Sequence, residues 1–421
     1  MRIIMDNNTT ISGTDFGSLR ISVVTNTGYT PIPNARIQIA SSGEPDIVIE
    51  ELTTDSSGNT PSISLQAPPL EYSMSPTDNQ PYSEYNVKVF ADDYDEEIIT
   101  NIQIFSGQPA VQQVRLSPAI SSPIYSPTVI PGHTLWEFFP PKIAESEIKD
   151  TNSSGEIVLS RVVVPETIVV HDGVPSDDTA TNYFVPYLDY IKNVASCEIY
   201  TTWPEETIKA NILAIMSFTL NRVYTEWYRN KGYDFTITSS TAFDHKWTYN
   251  KTIYNKISQV ADSLYGSFIA RPNVKQPILT QYCDGKRVSC PNWMTQWGSK
   301  TLGDDGLSAI QILRYYYGDD VYINNAEIIS GIPASYPGYN LTIGSTGDPV
   351  ITIQEQLNRI ARNYPALPTV SVDGIFGNNT ANAVRSFQEI FNLPASGIVD
   401  YPTWYKISQI YVGVTKIGEN V

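Results

Sequence analysis

Between residues 18 and 118 the chain repeats one pattern, short segments in which apolar and polar residues alternate. The segments read SLRISVVT, ARIQIAS, YNVKVFAD, EIITNIQIF and AVQQVRLS. Turn-forming clusters separate them: NTGYTPIPN, TDSSGNTP, APPLEY and ADDYDE. A period of two sends every second side chain to one face of a strand, and Gly, Pro, Asn and Asp end it. Several short strands at this spacing predict a small all-β sandwich over residues 1–118. No catalytic cluster falls in it, so its role is binding, scaffolding or shielding.

The pattern then changes. Residues 119–160 have prolines at irregular intervals, in SPAISSPIYSPTVIPGH, followed by polar AESEIKDTNSSGE. This reads as a loosely packed linker, and DTNSSGE has the composition of an exposed, protease-sensitive site. Residues 161–335 form a mixed α+β region. RVVVPETIVVHDG and YDFTITSS read as strands, a long helix is expected from about Pro204 to Tyr228, and NKISQVADSLYGSFI and GLSAIQILRYYYG read as helices. Residues 340–418 supply three short amphipathic helices. Ile353, Leu357 and Ile360 share a face of the first, and Ala383, Phe387 and Ile390 a face of the second. Three such helices make a compact bundle.

The chain carries a net charge of −17 over 421 residues. Residues 1–120 hold 5 Lys/Arg against 15 Asp/Glu, so more than half of the excess lies in the first third. Nucleic acid and anionic membranes are poor partners for such a surface. No cysteine–histidine spacing fits a zinc site, and no metal is expected. Cys283 and Cys290 are placed to close one small loop, which leaves Cys197 free and buried. The N-terminal MRIIMDNNTTISGTDFG lacks the apolar core of a signal peptide, and no run of 18 apolar residues marks a membrane span.

Three glutamates crowd the start of the long helix: Glu198, Glu205 and Glu206. Thr202-Trp203-Pro204-Glu205 fits a capping box, which gives Glu205 a structural task. Glu206 falls in the first helical turn, where the dipole favours any carboxylate. Glu198 has neither role. In the apolar context VASCEIY its burial would keep a proton on the carboxyl, as a general acid requires.

Two resemblances cover the rest. GSTGDPVITIQEQLN, VDGIFGNNTANAVRSFQ and GIVDYPTW resemble the peptidoglycan-binding domain of cell-wall hydrolases. That resemblance places ligand contacts at Asp373, Gly374, Phe376, Gly377, Thr380 and Gln388. YIKNVASCEIYTTWPEETIKANILAIMSF resembles the SpoIID-like lytic transglycosylases, in which the catalytic Glu falls at Glu198. The family's polar segment appears as STAFDHKW, with Lys246 where Gln is usual, and Asn211-Ile212 replaces its Gln-Ala. By this resemblance Asp244 and His245 are candidates for sugar contact, and TQYCDGKRVSC puts Gln281, Tyr282 and Asp284 beside the Cys283–Cys290 loop as a candidate cleft rim.

The order of the parts resembles the spore cortex-lytic enzyme family. It implies a precursor stored in the spore, in the cortex or coat region, and cleaved within residues 119–162 by a subtilisin-like germination protease. The implied substrate is cortex peptidoglycan, cut between MurNAc and GlcNAc without a cofactor. A lytic transglycosylase needs a single carboxylate, because the C6 hydroxyl of the sugar itself replaces water. A muramidase using water would need a second, and Asp284 is the candidate. A non-catalytic wall-binding or spore-structural protein is the remaining alternative.

Overall fold

The alternating segments form strands because their apolar positions close on one another. The computed structural model describes residues 15–26, 29–119, 126–149, 159–288, 290–326, 328–329 and 336–419. The first part contains β1 (Asp15–Thr25), β2 (Arg36–Ser41), β3 (Val48–Thr53), β4 (Ile63–Ala67), β5 (Tyr82–Phe90), β6 (Glu97–Phe105), β7 (Pro109–Leu116) and β8 (Thr128–Val129). Leu19, Ile21 and Val23, two residues apart on β1, are fully buried, as are Ile37, Val87, Val89, Ile102 and Ile104. One sheet runs β3-β2-β5-β6-β8. In the other, β1 lies between β4 and β7, antiparallel to the first and parallel to the second.

The central part contains β9 (Val163–Val164), β10 (Thr167–His171), β11 (Asn182–Pro186), α1 (Tyr187–Glu198), α2 (Glu205–Tyr224), β12 (Ile237–Thr238), β13 (Ile253–Tyr254), α3 (Asn255–Ser263) and β14 (Ser267–Ala270). It continues with β15 (Tyr282–Cys283), β16 (Met294–Thr295), α4 (Gln296–Asp304), α5 (Ala309–Tyr317), β17 (Tyr322–Asn325) and β18 (Ile328–Ile329). α2 is apolar nearly all round and runs through the core. Its buried amides donate inside the protein: Asn211 to Ser299 Oγ at 2.8 Å, and Asn221 to the Pro277 carbonyl at 2.7 Å.

Helices α6 (Asp348–Ala361), α7 (Asn378–Ile390) and α8 (Tyr401–Glu419) form the C-terminal bundle, with Leu357, Phe376, Phe387 and Trp404 in its core. The bundle rests on α3, where the Tyr265 and Tyr405 rings meet edge to face at 5.0 Å.

Three expectations change. The sandwich and the central region share a sheet, because β13 adds to the edge of β7 through Ile253↔Val111 and Tyr254↔Ala110. The described part of the Pro-rich segment, residues 126–149, is packed and not loose: Ile130, His133 and Leu135 are buried. DTNSSGE lies outside the described residues, as does most of the N-terminal MRIIMDNNTTISGTDFG. The capping box at Thr202 does not form. α2 starts at Glu205 behind Pro204 with no side-chain cap, and the Thr202 hydroxyl has no partner. Trp203 explains this. Its fully buried ring packs on Tyr200 and Trp297 and donates to the Ser73 carbonyl of the sandwich at 2.9 Å, fixing the turn before the helix.

Candidate functional site

Glu198 is the last residue of α1 and is 7% exposed. The backbone N–H of Lys246 donates to Oε1 at 2.7 Å, and Gln296 Nε2 donates to Oε2 at 2.9 Å. The same Gln296 nitrogen reaches the Glu198 carbonyl at 2.7 Å, capping the end of α1. Lys246 therefore contributes through its main chain, and the identity of its side chain does not enter this contact. Gln296 opens α4, far from Glu198 in sequence, and nothing local marks it.

Glu198 lines a cavity of only about 40 Å³. Tyr282 forms part of its wall, and its buried hydroxyl has no aligned hydrogen-bond partner among the described residues. Burial, and then the nearby Glu198 carboxylate, push this phenol well above its usual range. It is a neutral hydroxyl that interacts with the Glu198 carboxyl. His245 stacks on the Tyr282 ring at 5.7 Å, and its Nδ1 meets the Tyr190 hydroxyl at 3.0 Å. Burial first, then Lys142 and Arg222, hold the imidazole well below its ordinary pKa, so it is uncharged.

The other expected contacts are engaged inside the protein. Asp244 is fully buried: Arg222 Nε donates to Oδ1 at 2.8 Å, while the Tyr228 hydroxyl at 2.6 Å and Thr238 at 2.7 and 2.9 Å donate to Oδ2. Asp284 accepts the backbone N–H groups of Lys286, Arg287 and Val288 at 2.9–3.1 Å. This pins the loop that Cys283 and Cys290 close, with Cα atoms 6.0 Å apart. Gly285 turns the loop at φ 76°, where a Cβ would lie 2.4 Å from that of Thr295. Cys197 is free and buried. Among the described residues no cluster of His, Cys, Asp or Glu could hold a metal.

Gln281 binds protein backbone instead of an open cleft. Its amide donates to the Ile143 carbonyl at 2.7 Å and accepts from the Glu145 N–H at 2.9 Å. These belong to the segment 126–149, which lies across the site as a strap. His133, Leu135, Phe139, Pro140 and Lys142 of the strap line the Glu198 cavity. Tyr200 Oη accepts from the Leu135 N–H at 2.7 Å, and Trp297 Nε1 donates to its carbonyl at 2.9 Å. Lys142 lies over the Tyr282 ring at 4.4 Å and donates to the Asp244 carbonyl at 2.5 Å. The Glu145 carboxylate takes Arg222 in a two-pronged pair at 2.7 and 2.9 Å. Glu147 pairs with Arg271, and Gln276 brackets the backbone of Lys149. Arg287 of the disulfide loop stacks on Trp136 at 4.2 Å.

Glu205 and Glu206 are elsewhere. Glu205 is exposed and pairs with Lys209 at 2.8 Å. Glu206 also meets Lys209, and its second oxygen accepts the Ala309 N–H at 2.8 Å, capping α5. Lys209, with a smaller contribution from that N–H, holds its carboxyl below the usual range.

In the bundle, Asp373 is exposed at the turn before α7 and accepts from Gln354 and from the Ile375 N–H, both at 2.9 Å. Gly374 has φ 69°, Gly377 precedes α7, and Thr380 is buried against Gln354. Phe376 is fully buried in the bundle core. Gln388 is equally enclosed, giving hydrogen bonds to Ser396, Ile398 and Thr403 and accepting one from Gly397. The turn thus shows Asp373 and the exposed Val372 and Ile375 to solvent. Gln354, which ties Asp373, Gly374, Ile375 and Thr380 together, was not expected from sequence.

Residues 346–407 match the family described as "Putative peptidoglycan binding domain". A search of curated proteins returned no match. Among solved structures, the chain is similar to the SleB N-terminal domain, with 33% identity over 17% of this chain and 93% of that one, at a TM-score of 0.15. It is also similar to the Bacillus anthracis TIE protein, with 16% identity over 25% of this chain and 17% of that one, at 0.18. GBS52, the minor pilin of Streptococcus agalactiae, aligns at 15% identity over 27% and 48%, also at 0.18. Among the described residues no helix is long and apolar enough to cross a membrane.

Proposed function

We propose that this chain, which carries a peptidoglycan-binding domain in residues 346–407, is the inactive precursor of a lytic transglycosylase of the spore cortex. The observation that carries the reading is Glu198, a carboxyl buried on the wall of the cavity with each oxygen held by a fixed donor. The resemblance to SpoIID-like enzymes names the same residue. Glu198 gives its proton to the oxygen between MurNAc and GlcNAc, so that the bond from MurNAc C1 to this oxygen breaks and GlcNAc leaves as an alcohol, and the carboxylate then takes the proton of the MurNAc C6 hydroxyl as O6 bonds to C1. The nucleophile is already part of the bound sugar, which supplies its proximity. Tyr282 places a neutral hydroxyl on the same cavity wall. The second carboxylate that water would need has no support from Asp284, whose oxygens are taken by three backbone N–H groups. The bundle keeps the enzyme on its polymer and raises the local concentration of cleavable bonds.

The precursor reading rests on the strap. A cavity of about 40 Å³ is far below the roughly 300–1,000 Å³ of ligand sites, and strap residues form one of its walls. A cut between residues 150 and 160 leaves the strap on the N-terminal piece, so activation also requires that piece to depart. Mass spectrometry of peptidoglycan digested by full-length protein, by a form starting near residue 160, and by Glu198→Gln tests both claims. Anhydro-muropeptides from the shortened form alone support the reading. Reducing ends point to a muramidase, absence of products to a wall-binding protein, and full activity of Glu198→Gln removes that residue as the acid.

A further inference from the structure

Away from Glu198, a groove of about 440 Å³ lies where the sandwich, the central region and the bundle meet. Arg20 of β1, Arg115 of β7, Lys251 just before β13 and Lys406 of α8 all face it. Among the described residues, their side-chain hydrogen bonds go to neutral oxygens. Arg20 donates to the Glu389 carbonyl at 3.2 Å, Arg115 to Gln113 at 3.1 Å, Lys251 to Gln103 at 2.5 Å and Lys406 to Gln409 at 3.2 Å. A fifth cation, Lys192, is neutralised by Asp262 at 2.8 Å. Asp189 is the one carboxylate among the described residues of the lining. In a chain of net charge −17, four cations that make no salt bridge among the described residues line one groove, and Asp55, Glu84, Asp189 and Asp262 act on Arg20, Lys251 and Lys406 only through space. Burial lowers the pKa of Arg20, Lys251 and Lys406, a penalty that a bound anion would relieve.

One wall is aromatic. Tyr183 and Tyr249 stack with centroids 4.8 Å apart, Trp247 lies 5.3 Å from Tyr183, and Tyr249 keeps 37% of its surface exposed. Ring faces beside cations suit a ligand with flat apolar faces and carboxylates. We propose that the groove is a second peptidoglycan site, which takes the carboxylate-bearing stem peptide together with the sugar that carries it. This rests on the proposed function only in naming peptidoglycan as the polymer. The groove exists only while the sandwich is docked, so it belongs to the uncut form and holds the precursor on its substrate before activation.

The test uses full-length Glu198→Gln, which cannot consume its ligand, and calorimetric titration with a disaccharide-tetrapeptide. Expected are saturable binding that weakens with salt, at least tenfold weaker binding of the same fragment with its carboxyls amidated, and a similar loss in Arg115→Gln/Lys406→Gln. Arg115→Gln alone, confirmed folded by its melting temperature, should lose at least threefold. Equal affinity for the acid and amidated fragments, unchanged affinity in the variants, or no binding to the parent overturns the proposal. The shortened form, which lacks the groove, is assayed for anhydro products in parallel. Its activity stands or falls independently of the groove.

Discussion

Glu145→Ala should release the strap without proteolysis. The wild-type carboxylate makes two charge-assisted hydrogen bonds to Arg222, whose side chain is fully buried while that of Glu145 is 12% exposed. Bonds of this kind contribute about 1.5–3 kcal/mol each. Arg222 keeps its pairing with Asp244, and water can enter where the carboxylate was, so a net loss of about 3 kcal/mol is reasonable. That corresponds to roughly a hundredfold rise in the open population of the uncut form. The assay is the initial rate of cortex-fragment solubilisation by the uncut protein, normalised to the shortened form. Glu147→Ala is the control: its partner Arg271 and the carboxylate are 22% and 33% exposed, so the pair contributes under about 1 kcal/mol and the rate should rise less than about fivefold.

The same contact makes closure pH-dependent. Burial works against the Glu145 charge, but Arg222 and Lys149 outweigh it and hold the carboxyl below its ordinary value of 4.5. Its contribution is therefore complete above that value and is lost as pH falls through the lower value of the closed form. Uncut wild type should become protease-sensitive along the strap in that acid window, and Glu145→Ala should lose this pH dependence. A Glu145→Ala protein with wild-type background activity, and a strap no more sensitive to protease, would refute the reasoning.

Three further outcomes are expected. Gln296→Leu, which strips one donor from Glu198, should lower kcat about ten- to a hundredfold with little change in KM, and Gln296→Asn should fail to rescue it because the shorter amide cannot reach both the Glu198 carbonyl and Oε2. Reducing Cys283–Cys290, a loop with sequence separation 7, should cost about 2.5 kcal/mol at most, seen as a lower melting temperature. Glu206→Gln should destabilise the protein by about 1 kcal/mol at neutral pH by weakening the cap of α5, and the difference should vanish in acid, where the wild-type carboxyl also takes a proton.

The sandwich strands were legible where one face is buried. β1, β2, β5, β6 and β7 alternate because their inner side chains meet the opposite sheet. β3 escaped notice because it is an edge strand with exposed side chains on both faces, so burial imposes no period on it. β13 is two residues long, and its partner lies some 140 positions earlier, so no local signal exists. The capping signature at Thr202 failed because a buried Trp203 sets the chain direction more strongly than one hydroxyl. Glu198 stood out by lacking a structural task, whereas Gln296 and Gln354 act through contacts made only once distant segments meet. Asp244, Phe376 and Gln388 were legible as members of their motifs but not as interior residues, since a motif records position and not exposure.

The two-residue strand β13 also bears on how the chain reaches this state. Its pairing with β7 closes a loop of about 140 residues, and Lys251, Thr252 and Tyr254 reach the sandwich at Gln103 and Gln112. Contacts of such separation form late and at high entropic cost, but once formed they merge neighbouring units into one cooperative block. Melting of the uncut chain should therefore show the sandwich and the central region losing structure together. The same scan on the shortened form, with its β7 partner missing and Lys251 and Thr252 facing solvent, should begin at a lower temperature.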